Sequence, residues 1–116
     1  MNTKITYLYR DAGNYKAHHE VIVQGKITLA QVQPCLENGE HFIPSQVGLP
    51  DLQAQLGPAN EDDHAWHELG PESFEPTTEP ITVAITARTL LSRFRRAHAH
   101  GWELAVAMRR NGIGIL

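Results

Sequence analysis

"KITYLYRDAGNYKAHHEVIVQ", residues 4–24, is the stretch on which the reading of the fold turns. In its first part Ile5, Tyr7 and Tyr9 alternate with Thr6, Leu8 and Arg10, the period of a half-buried strand. "DAGN" (11–14) is a turn signal, and the following "YKAHHEVIVQ" carries β-branched residues at 21–23, so residues 4–24 are predicted to form a β-hairpin.

Outward from the hairpin, the clearest helix is predicted at about 87–100. At about 100° per residue, Ala87, Leu90, Leu91, Phe94, Ala97, His98 and Gly101 share an arc of roughly 120°, with Arg88, Arg93, Arg95, Arg96 and His100 outside it. Thr86 is placed as its N-cap and Gly101 as its end. A shorter helix is expected over "LAQVQPCLEN" (29–38), where Thr28 and Gln31 fit a capping box and Pro34 demands a kink or a later start.

"ITVAIT" (81–86) alternates as a strand does, and "AWHEL" (65–69) and "WELAVAM" (102–108) suit short ones. "HFIPSQVGLPDL" (41–52) reads as irregular chain with apolar anchors, and Pro76 and Pro80 place "GPESFEPTTEP" (70–80) at an edge or in a connection. The expected class is α+β: an N-terminal β-hairpin in a small, mainly antiparallel sheet packed with one or two helices. One domain is expected over 1–108, with a C-terminal tail at 109–116.

A chain of 116 residues can bury a core without a disulfide or a metal as a staple. The start lacks the apolar region of a signal peptide and no run approaches the 18 or so apolar residues that span a bilayer, so a cytoplasmic protein with no membrane partner is expected. Cys35, the single cysteine, lies between Pro34 and Leu36 and reads as a small buried hydrophobe rather than a nucleophile.

Charge is unevenly spread. Residues 1–26 carry +2; residues 27–87 hold ten carboxylates and no Lys or Arg, a charge of −10; residues 88–116 carry six arginines and one glutamate, +5, which together give the net −3. Asymmetry of this kind bears on partners rather than on fold.

"EDDHAWHELG" (61–70) concentrates candidate chemistry. As a metal centre, for Zn or another divalent ion, it offers Asp63, His64, His67 and Glu68, with His18 or His19 as further ligands; His64 and His67 converge only on a helix, and Gly70 and Pro71 argue against one. The zinc-protease pattern of two histidines four apart around a glutamate is missing. As a contact surface the segment offers Glu61, Asp62, Asp63, Trp66 and Glu68. As plain structure it is a solvated acidic approach to a strand, with Trp66 as the core anchor. "YRDAGNYK" (9–16), "DDHAWHE" (62–68) and the "PT" that follows at 76–77 resemble a group of small uncharacterised bacterial proteins, a resemblance that covers about residues 4–80 and implies no activity.

"RFRRAHAHGW" (93–102) supports nucleic-acid contact through Arg93, Arg95 and Arg96 with Trp102 as a stacking ring, against the plainer reading of a solvated helix face. On the apolar arc, His98 is expected to be packed and hydrogen-bonded. No glycine-rich phosphate loop and no ordered catalytic triad is legible. The leading expectation is a non-enzymatic interaction module, of accessory, immunity, antitoxin or inhibitor type, that needs no cofactor and presents an acidic surface to a basic protein, with Tyr7, Tyr9, Tyr15 or Trp66 as contact anchors. The alternative is a metal-dependent hydrolase or nuclease, and the third reading is nucleic-acid binding.

Overall fold

Strand alternation organises everything else in a computed structural model that describes residues 1–11, 14–53 and 64–102. β1 (Asn2–Arg10) and β2 (Lys16–Gln24) pair antiparallel from Asn2↔Gln24 to Arg10↔Lys16, which is the expected hairpin extended at its N-terminal end. Burial along β1 alternates strictly: Thr3, Ile5, Tyr7 and Tyr9 are buried, and Lys4, Thr6, Leu8 and Arg10 lie on the outer face. Where the hairpin turns, Asn14 takes the left-handed conformation at φ 66°, and the Asp11 carboxylate accepts from Tyr15 N–H at 2.9 Å.

The second edge of β1 is shared by two short strands. β5 (Phe74–Thr77) lies beside Asn2–Ile5, and β4 (His67–Glu68) lies beside Leu8 and Tyr9. β3 (His41–Phe42) pairs with β4, so the antiparallel sheet runs β2-β1-β4-β3 with β5 attached to β1. Pro76 sits in β5, which among the described residues pairs with β1 alone, the edge position that a residue without an N–H tolerates.

Among the described residues three helices cover the inner face. α1 (Leu29–Val32) has the complete capping box, with Thr28 and Gln31 satisfying each other's backbone N–H groups, and at Pro34 the chain tightens into a 3-10 turn over Gln33–Cys35. α2 (Pro44–Val47) is one turn closed by Gly48 in the left-handed conformation, φ 84°. α3 (Ala87–His100) is the helix expected at 87–100, and it buries Ala87, Leu90, Phe94 and Ala97. Phe94 meets Phe42 at 5.5 Å between ring centroids, and Phe42 meets Tyr7 at 5.5 Å, so a line of rings joins α3 to the sheet. His98, expected to be packed, is exposed, although Ala97 and Phe94 on the same arc are buried.

The segment "ITVAIT" is not a strand. Residues 78–82 cross the outer face of the sheet, with Asn2 Nδ2 donating to Glu79 O at 2.9 Å, and reach the free edge of β2, where Thr82 exchanges two hydrogen bonds with Ile22, one through its hydroxyl. Among the described residues beyond this point only Thr86 is paired, in an isolated bridge to Gln24. Alternation reflects the wrapping of the sheet edge: Val83 and Ile85 pack on the core and Ile81 stays 48% exposed. Covering Ile22, an outer-face residue only 4% exposed, is what the strap contributes.

Thr86 caps α3 by accepting from Thr89 N–H at 3.1 Å. Thr86→Ala is expected to cost about 1 kcal/mol with an unchanged denaturant slope, measured by urea unfolding; an effect within error would mean that packing alone fixes the start of the helix. No helix of the described residues is long and apolar enough to cross a membrane. The proposed strand over 102–108, the tail at 109–116, and Glu61, Asp62 and Asp63 lie outside the described residues or largely so.

Candidate functional site

β4 fixes the geometry of the histidine segment. Ala65, His67 and Leu69 are buried, and His64, Trp66 and Glu68, which alternate with them, lie on the more exposed side. The extended backbone therefore directs the two histidines into different environments, as a strand must.

His67 is 0% exposed and ringed by Tyr9, Tyr7 and Phe42 at centroid distances of 5.1, 6.1 and 6.2 Å. Its Nδ1 lies 2.9 Å from Ala65 O, which can only accept, so Nδ1 carries the proton. Its Nε2 receives Leu52 N–H at 3.0 Å and so presents a lone pair. Asp51 Oδ1 is 3.4 Å from the same nitrogen, yet this is not an ion pair, because a lone pair engaged by Leu52 leaves no place for a second ring proton. Burial pushes the imidazole down from 6.5 to about 4, with the Ala65 carbonyl pulling the other way.

His64 holds the opposite tautomer. Nε2 donates to Arg10 O at 2.9 Å and Nδ1 accepts from Trp66 N–H at 3.0 Å, while His64 N–H donates to Tyr9 Oη at 3.2 Å. The Tyr9 ring lies against both histidines, 5.0 Å from His64 and 5.1 Å from His67. Each of the four ring nitrogens is thus engaged by the backbone, and a metal would have to displace one of those bonds at each ring. Among the described residues no three His, Cys, Asp or Glu side chains gather in a way that could hold a metal. His18 is exposed, and His19 is half-buried against the Tyr7 ring at 5.9 Å.

Two expectations about aromatic residues need correction. Trp66 is not the buried anchor of its segment; Ala65 and His67 are, and Trp66 is half-exposed beside His41 and Trp102 at 6.3 and 6.5 Å. Tyr7 and Tyr9 are buried and cannot be contact anchors. Tyr7 Oη donates to Pro50 O at 2.7 Å, and burial raises its pKa. Tyr15, by contrast, is 71% exposed. Cys35 is buried, as the small hydrophobe expected there would be, and burial raises its thiol.

Glu68 is the described member of the acidic segment, and Arg10 grips it through two guanidinium nitrogens at 3.1 and 3.4 Å. Lys4 pairs with Glu79 and lies 4.0 Å from Glu75. The basic N-terminal residues are therefore woven into the acidic block by the sheet pairing. Around them, an open groove of about 590 Å³ on the outer sheet face is lined by Glu20, Glu40, Glu68, Glu72 and Glu75 together with Lys4. Of these only Glu68 was singled out in the sequence. Glu20 enters because β2 pairs it with Thr6, and Glu72 and Glu75 because β5 lies along β1.

The arginines of α3 stand on the opposite layer, outside the core that the inner sheet face and the helices share. Among the described residues, none of them has a carboxylate within 4.0 Å. They do not form one patch. Arg93 and Arg96 line a cleft against α2, whereas Arg95 lies elsewhere on the helix and exerts its field on Cys35. Compared with protein-family models, with curated proteins and with solved structures, the chain matches none.

Proposed function

We propose that this chain is a non-enzymatic interaction module whose outer sheet face receives a basic segment of a protein partner, in the manner of an accessory, immunity, antitoxin or inhibitor protein. The observation that carries the reading is the groove of about 590 Å³ with five glutamates and one lysine in its lining. Three of its charges are already committed, Glu68 to Arg10, and Lys4 to Glu75 in the lining and Glu79 beyond it. Glu20, Glu40 and Glu72 have no lysine or arginine within 4.0 Å among the described residues, and all three are exposed. A basic chain laid in the groove would meet that surplus, and complementary fields of this kind speed encounter and fix register.

The engagement of His64 and His67 by the backbone favours this reading over the hydrolase alternative, because a ligand set or a general base needs a free nitrogen.

The test is the binding of a labelled lysine- and arginine-rich peptide of about ten residues, followed by fluorescence anisotropy from about 50 to about 500 mM salt. Affinity is expected to fall about tenfold or more over the series, and the Glu20→Gln, Glu40→Gln, Glu72→Gln triple variant is expected to bind about tenfold more weakly at low salt. Equal binding by the triple variant, or binding indifferent to salt, would contradict the proposal.

A further inference from the structure

The cleft between α2 and α3 has an unusual composition for a molecule of net charge −3. Its walls, about 510 Å³ in extent, include Arg93, Arg96 and His100 from one stripe of α3, and Ser45, Gln46 and Gly48 from α2 and its cap, with no carboxylate among the described lining residues. Positions 93, 96 and 100 are separated by three and four residues, so their side chains rise from one side of the helix. The guanidinium groups of Arg93 and Arg96 placed together in this way repel each other, and the fold offers them no described carboxylate in compensation.

Arg93 is held in place. One of its terminal nitrogens donates to Val47 O at 3.4 Å, and its guanidinium lies over Gly48, where a Cβ would come within 2.2 Å of that nitrogen. Glycine at 48 therefore serves both the left-handed turn at φ 84° and the close approach of the guanidinium to the backbone. A guanidinium held at one nitrogen keeps the rest of its planar donor fork available, the geometry that matches an oxyanion. Ser45 forms part of the other wall with its Oγ buried.

We propose that this cleft is a binding site for a phosphate-type oxyanion, free phosphate or a small phosphomonoester, clasped by Arg93 and Arg96 with His100 at its rim. The site is independent of the acidic groove, since it draws on the opposite layer of the fold. A single compact anion fits the arrangement better than a polymer, because Arg95 and Arg88 do not line the cleft and cannot extend it into a phosphate-tracking surface.

The experiment is an NMR titration of the full chain with inorganic phosphate at constant ionic strength, followed at the arginine Nε–H groups and at the Gly48 amide. Saturable binding is expected, weakened about tenfold or more in Arg96→Gln and in Arg93→Gln, and unchanged in Arg88→Gln, which alters the same helix outside the cleft. A nucleoside monophosphate is the second arm: tighter binding than phosphate assigns the site to an ester, and weaker binding assigns it to the free ion. The triple glutamate variant should bind phosphate as the parent does. No saturation with either small anion would overturn the proposal. So would an equal loss in Arg88→Gln, or binding confined to a single-stranded oligonucleotide, since each of those makes the whole helix a diffuse cationic surface.

Discussion

Replacing His67 by alanine is expected to destabilise the fold by about 4 kcal/mol. The ring is fully buried among Tyr7, Tyr9 and Phe42, so truncation leaves a cavity that those rings cannot all close. It also removes the acceptor of Leu52 N–H and the donor to Ala65 O. A buried backbone group left without a partner costs about 1–3 kcal/mol, and water entering the vacated space recovers part of that. His67→Phe separates the two contributions, since it fills the volume and leaves both backbone groups unpaired; a loss of about 2 kcal/mol is expected. Urea unfolding of both variants supplies the measurement. Against a total stability of about 5–15 kcal/mol the alanine effect is large. If His67→Ala lost less than about 1 kcal/mol, the two bonds would not be holding β4 to the segment at Leu52.

Acid should weaken the fold by about 3 kcal/mol through the same ring. In the unfolded chain His67 titrates near 6.5, and in the folded protein burial holds it at about 4. As the pH falls below 6.5 the unfolded state gains a proton that the folded state refuses, so the contribution is fully present above 6.5, is lost progressively down to about 4, and is level below that. The interval is about 2.5 units, at about 1.4 kcal/mol each. Glu79, whose carboxyl Lys4 and Thr77 hold below its ordinary 4.5, also withdraws stability in acid, but only as the pH drops beneath that value. Urea unfolding at pH 7.0, 5.5 and 4.5 resolves the two. The decline between 6.5 and 4.5 should be much reduced in His67→Phe, and an undiminished decline in that variant would assign the acid sensitivity to other groups.

The hairpin, the helix at 87–100, its cap and the capping box at Thr28 were legible because each rests on local periodicity or on residues three apart. Alternation at 81–86 misled because it describes which side of the chain meets apolar surface, whether or not a neighbouring strand is present; here that surface is the rim of the sheet. His98 was misplaced because a helical arc gives direction and says nothing about where the covering layer ends.

Less of the site could be read. The spacing of His64 and His67 is equally compatible with ligands and with core residues, and the decision lies with Arg10 O and Leu52 N–H, which the sequence places 54 and 15 residues away. The outer groove is likewise assembled by strand pairing: Glu20 is far in sequence from Glu40, Glu72 and Glu75, and Glu20 itself stands outside the acidic block of 27–87. Segregated charge along the chain suggested two patches. In the fold the N-terminal cations Lys4 and Arg10 go to the acidic side, and the arginines of α3 stay apart from it.

The central claim is that His64 and His67 are framework residues whose ring nitrogens are engaged by backbone groups. Imidazole nitrogen NMR at pH 7.5, with and without added zinc, measures this directly. We expect His67 in the Nδ1–H form and His64 in the Nε2–H form, both unmoved by zinc. A common tautomer for the two rings, or zinc-dependent shifts at both, would contradict the account and return the segment to metal chemistry.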